Sequence, residues 1–176
     1  MALLNRLPKI EQITPVYSVG VTILFSWAIV TTIEVAINNW ALYFGVADIL
    51  SLFAYVMAGA FLESLLLISS LLMLSFILPQ KIFGIKFVLR GTILTITFLG
   101  FIMYYYTQTP MGEALANINK WGMFFVITFV LLAIGESIKI VERFVRLMAD
   151  RFIVFLYIYL PISFASIVII IVRNLG

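Results

Sequence analysis

The sequence predicts an all-α, polytopic membrane protein: a bundle of about five transmembrane helices, with the N-terminus cytoplasmic and the C-terminus outside. Three observations carry this. Of 176 residues, 64% are hydrophobic and 11% charged, against about 45–50% and about 25% in a soluble domain. The apolar residues fall into five stretches, each near the roughly 20 residues that a span needs. The Lys and Arg residues collect in alternate connecting segments, the bias that orients membrane helices.

The five spans are residues 16–37, 49–78, 87–106, 121–138 and 152–172 of a single transmembrane domain. Pro8, Pro15, Pro79 and Pro110 fall before or between them, where a residue without an amide proton starts or stops a helix. Span one is too long for a cleaved signal peptide and reads as retained. Asp48 reads as the N-cap of span two. Span three opens on Lys86, Arg90 and Gly91, and Arg90, a turn inside, is expected to snorkel to the inner headgroups. Thr92, Thr95 and Thr97 can donate to carbonyls of the preceding turn, so they need no outside partner. Between spans three and four, Thr109 and Pro110 suit the start of a short surface helix with Met111, Leu115 and Ile118 on one face. Glu136, near the inner end of span four, has the i, i+3 spacing to pair with Lys139. Pro161 leaves the carbonyl of Tyr157 without its helical donor and predicts a kink in span five, with Ser163 and Ser166 beside it.

With the N-terminus inside, the inner segments hold Arg6, Lys9, Lys81, Lys86, Arg90, Lys139, Arg143, Arg146 and Arg151, and the outer ones only Lys120 and Arg173. Trp40, Tyr43, Trp121 and the run Tyr104, Tyr105, Tyr106 fall at outer boundaries, the depth that suits amphipathic rings. Trp27 lies mid-span and is expected to pack against another helix.

The densest charge is in residues 136–151, which read as a basic amphipathic extension of span four along the cytoplasmic surface. Lys139, Arg143, Arg146 and Arg151 there would attract anionic lipid headgroups, at about 1 kcal/mol per basic residue. The plainer reading is positive-inside bias, with Glu142 and Arg146 paired at i, i+4.

Two carboxyls have no such explanation. Glu34 ends a row at spacing four, Ser18, Thr22, Ser26, Val30, Glu34, that continues to Asn38; Glu63 ends a second, Ser51, Tyr55, Gly59, Glu63. Rows of small and hydroxyl residues permit close helix approach and cross-helix hydrogen bonds. At about 1.5 Å per residue, Glu34 stands roughly 26 Å above Tyr17 and Glu63 roughly 22 Å above Leu78, which lets the two meet in the outer half of the bilayer. Two such carboxyls without a cation would not both ionise. The pair reads as a proton or cation site or a docking point for a partner's basic group; alternatively the glutamates serve packing, or Glu34 reaches the outer headgroups.

The chain has no His and no Cys, which excludes disulfides, Cys or His metal sites, His-ligated cofactors, thiolate nucleophiles and His-based triads. Glycine patterns that cradle phosphates are absent, and the basic charge lies in positive-inside loops, so nucleic acid is not implied. No cofactor or metal is predicted. The leading expectation is a non-catalytic accessory or scaffold subunit of a complex in a bacterial plasma (inner) membrane. Its partners would be the bilayer, anionic lipids at the cytoplasmic face, and other membrane subunits or further copies of itself. The alternatives are a small transport or channel component built on Glu34 and Glu63, against which the lack of an internal repeat weighs, and a lipid-modifying enzyme. In topology alone, the five-span N-in, C-out arrangement is similar to the membrane portion of bacterial phosphoethanolamine transferases and lipoteichoic acid synthases, whose catalytic residues have no counterparts in this sequence.

Overall fold

The computed structural model describes residues 7–35, 45–80, 83–108 and 118–175. They form five helices: α1 (Ile10–Val35), α2 (Val46–Ile77), α3 (Phe87–Gln108), α4 (Ile118–Ser137) and α5 (Lys139–Leu175). Four of them are long and apolar enough to cross a membrane, and the apolar run of α4, Trp121–Ser137, is shorter. Residues 109–117 of the expected surface helix at 109–120, and Arg6, Asn38, Trp40, Tyr43 and Lys81, lie outside the described residues, while residues 118–120 of that segment open α4.

α1 is the central helix. In its most apolar stretch 56% of residues are buried, against 17% in α5. It packs against α2, α3 and α5, while α4 attaches to α3 and to the base of α5. Cross-helix contacts fix the directions. Tyr17 hydrogen-bonds Ser64 at 3.2 Å, and farther along α1 the buried residues Val21, Phe25 and Ala28 join Met57 and Ala60 in one cluster; α2 is therefore antiparallel to α1. Ser18 donates to the carbonyl of Ala149 at 3.2 Å, and Phe25 meets Tyr159 with ring centroids 4.4 Å apart, so α5 runs parallel to α1. The ion pair of Arg90 with Glu136 and the contact of Phe101 with Trp121, 5.1 Å between centroids, make α4 antiparallel to α3.

In lipid the hydrophobic effect does not drive helices together, so close packing must. Many buried residues where helices touch are accordingly small or hydroxyl-bearing, Ser18, Ala28, Ala54, Ala58, Ser64, Ala149, Ser163 and Ser166, alongside larger ones such as Phe25, Met57, Phe87 and Leu89. Three glycines mark the tightest approaches. A Cβ on Gly20 would stand 2.7 Å from Leu67 Cδ2, on Gly91 3.1 Å from Val16 Cγ1, and on Gly135 2.9 Å from Ile93 Cδ1.

Several elements differ from expectation. α1 begins six residues before position 16 and runs through Pro15. Pro15 lies just past the first turn, so the helix forgoes a single backbone hydrogen bond there. Residues 139–151 extend span five rather than span four: α4 ends at Ser137, Ile138 alone is non-helical, and α5 runs unbroken for 37 residues. As the sequence suggests, Pro161 lies inside this helix, with helical residues on both sides, and the nearby Ser163 hydroxyl donates to the Tyr159 carbonyl at 2.7 Å. The N-cap of α2 is Gly45; Asp48 stands three residues inside, its Oδ2 accepting the Gly45 amide at 3.3 Å.

Candidate functional site

The charged groups at the N-terminal end of α3 settle into a network with α4 and α5. Arg90 Nε donates to Glu136 Oε1. Lys86 Nζ lies 3.2 Å from Glu142 Oε2, and Arg146 Nη2 lies 2.8 Å from Glu142 Oε1. Glu136 therefore pairs across to α3 and not along the chain to Lys139, and Arg90 holds a helix partner where the sequence suggested a lipid headgroup. The i, i+4 bond of Glu142 and Arg146 forms as its spacing allows. Together these pairs lock α3 to the α4–α5 junction. Arg143, Arg146, Lys139 and Arg151 are exposed.

The structure does not bring Glu34 and Glu63 together. Tyr17 sets α1 against Ser64, so Glu63 is level with the first third of α1, whereas Glu34 stands at its far end. The axial separation is about 20–25 Å at 1.5 Å per residue. The sequence estimate took Tyr17 and Leu78 as equal in height; in fact Ser64 is level with Tyr17, and Leu78 lies 14 residues beyond Ser64, about 20 Å past Tyr17 in the direction away from Glu34. Both glutamates are exposed to the surroundings of the bundle, and among the described residues neither has a hydrogen-bond or ion-pair partner.

Their rows part as well. Ser18 is fully buried and also donates to the Pro15 carbonyl at 2.7 Å, but Ser26 and Val30 have turned outward, because a spacing of four drifts about 40° per step around a helix with 3.6 residues per turn. On α2, Tyr55 accepts a hydrogen bond from Asn174 Nδ2 at 3.0 Å, tying α2 to the end of α5, and open space lies beside Gly59.

Glu63 does have a setting. α2 and α3 flank α1 but barely touch each other, and the gap is a groove of about 560 Å³ with Leu24 of α1 in its lining. Its polar residues are Glu63 and Ser70 on α2 and Thr95 on α3. Ser70 donates to its own helix, to the Leu66 carbonyl at 2.8 Å. Thr95 is 1% exposed, and its Oγ1 has no hydrogen-bond partner. Thr92 Oγ1 is equally buried and unpartnered, whereas Thr97 follows the sequence rule and donates to the Ile93 carbonyl at 2.8 Å. The orphan hydroxyl of Thr95 was missed because a helical threonine is normally satisfied by its own backbone. The pairing of Arg90 with Glu136 left a signal, two opposite charges each about a turn inside adjacent spans.

Among the described residues, no group of three or more acidic, His or Cys side chains converges as a metal site would require. No protein-family model, no curated protein and no solved structure matches the chain.

Proposed function

We propose that this protein is a non-catalytic accessory subunit of a membrane complex, with its N-terminus in the cytoplasm, its C-terminus outside, and a bacterial plasma membrane as its home. One observation carries the reading: Glu63 borders the open groove between α2 and α3, within an apolar helix, and has no hydrogen-bond or ion-pair partner among the described residues. An unpaired carboxyl within a span is costly and marks a functional contact, and acyl chains have nothing to offer it. The separation of Glu34 from Glu63 removes the paired site on which a transport reading rested. At the cytoplasmic end, exposed Lys139, Arg143 and Arg151 face anionic headgroups in this orientation, and Arg146 does so less freely because Glu142 engages it.

Mild-detergent extraction from native membranes, followed by mass spectrometry, tests the reading. A different polypeptide in fixed stoichiometry is the expected result. Recovery of the chain alone, or only with copies of itself, contradicts it.

A further inference from the structure

The outward side of α5 does not change character where its charged stretch begins. Ile140, Phe144, Leu147, Arg151, Val154 and Ile158 recur at spacings of three and four, which places them on one face of the helix. The five apolar members are each half or more exposed, and Arg151 is exposed among them. Ala149 and Leu156, which pack on α1, lie on the opposite side. The outward stripe of the apolar part, Val154 and Ile158, thus runs on through residues 140–147.

Bases accompany this stripe. Lys139 and Arg143 stand beside Ile140 and Phe144, and Arg151 sits within the stripe. All three are exposed, and none has an ion-pair partner among the described residues. Of the two acids in the stretch 139–151, Glu142 is held by Lys86 and Arg146, which leaves Asp150 against three free bases. An apolar face continuous with one that acyl chains cover is covered by acyl chains in turn, and free bases along it attract anionic headgroups. Arg151, the one farthest into α5, reaches a phosphate by extending along the helix. Setting this face against the same face of a second copy would place bases against bases. We infer that residues 139–151 of α5 form a binding site for anionic phospholipid, with the headgroup on Lys139, Arg143 and Arg151 and an acyl chain along Ile140, Phe144 and Leu147. The inference rests on the reading above only for the leaflet, since that orientation turns this end to the cytoplasm.

The test uses the full chain in liposomes with a fluorophore on Leu147→Cys, the sequence having no Cys of its own. The quenchers are phosphatidylglycerol and phosphatidylcholine, each carrying a nitroxide on its acyl chain and present in both leaflets. Phosphatidylglycerol is expected to quench at about fivefold lower mole fraction, the scale of one basic residue near anionic lipid. Lys139→Gln, Arg143→Gln and Arg151→Gln combined should make the two lipids equivalent. Should that variant fold poorly, about 1 M salt should erase the preference of the unaltered bases. Lys9→Gln, which removes an exposed base outside α5, should leave the preference intact. Equal quenching by both lipids overturns the inference, as does a preference that survives both the triple substitution and high salt, or one that Lys9→Gln abolishes. Absence of quenching by either lipid, or self-quenching between labelled copies in its place, gives the stripe to another occupant and overturns it too. A chain that co-purifies with nothing, yet prefers phosphatidylglycerol through these bases, would sink only the accessory reading. Equal quenching in a chain that keeps a stoichiometric partner would sink only the lipid site.

Discussion

Arg90 and Glu136 illustrate what a single pair does in this bundle. The Arg90 side chain is 16% exposed and that of Glu136 36%, between the surface regime, where ion pairs contribute little, and the buried one, where breaking a pair is severe. Arg90→Leu should therefore destabilise by about 1–2 kcal/mol, seen as a lower unfolding temperature in detergent. The exchange Arg90→Glu with Glu136→Arg should recover much of that loss, and no recovery would show that the pair is not what matters. This contact was only half legible in the sequence. Both charges stood out, but the nearest partner along the chain, Lys139, drew attention from the one across the helix interface. Glu63 was legible as a charge without a reason to be there, yet its supposed companion was wrong, because height along a helix cannot be counted from span ends before the register between helices is known.

Close helix approach at small residues holds the elements together, and Gly91 is its clearest case. A Cβ there would press on the β-branched, fully buried Val16, at 3.1 Å and 3.2 Å from its two methyl groups. Val16 has one favoured rotamer in a helix and little freedom to yield. Gly91→Val should cost about 1–3 kcal/mol by overpacking and loosen α1 from α3. Gly100→Val, beside open space, is the control and should be near neutral; equal losses at both would refute the packing account. α2, α3 and α4 follow the predicted spans to within three residues at each end, and α1 starts six residues early, because long apolar runs are a strong signal for a helix and a weaker one for its ends. The fate of residues 139–151 was not legible: their charges suit either neighbouring span. Cross-helix contacts decided it, with Ala149 held by Ser18 and Glu142 by Lys86.

At the scale of the whole molecule, the end that holds the start of α1 is two-sided. Below the level of Tyr17 and Ser18, α2 continues with exposed Leu66, Met73 and Ile77, while α5 carries Lys139, Glu142, Arg143, Arg146 and Asp150 at the same end. No plane perpendicular to the helices separates these apolar and charged surfaces, so the bundle must sit tilted, α2 deeper than α5. α2, at 32 residues, is about 48 Å long against a hydrocarbon core of about 30 Å, which also calls for tilt. Spin labels on Ser70→Cys and Arg146→Cys should report this: the label on α2 in hydrocarbon, the one on α5 in water, despite similar heights along the bundle. Equal depths would argue for an upright molecule. The most direct measurement concerns Glu63, on which both the groove and the accessory role depend. A spin label on Glu63→Cys, read by its relative collision with oxygen and with a water-soluble nickel complex, should lie near the centre of the bilayer and be open to oxygen. A label at headgroup depth, freely accessible to nickel, would make Glu63 an ordinary surface carboxylate and contradict the account.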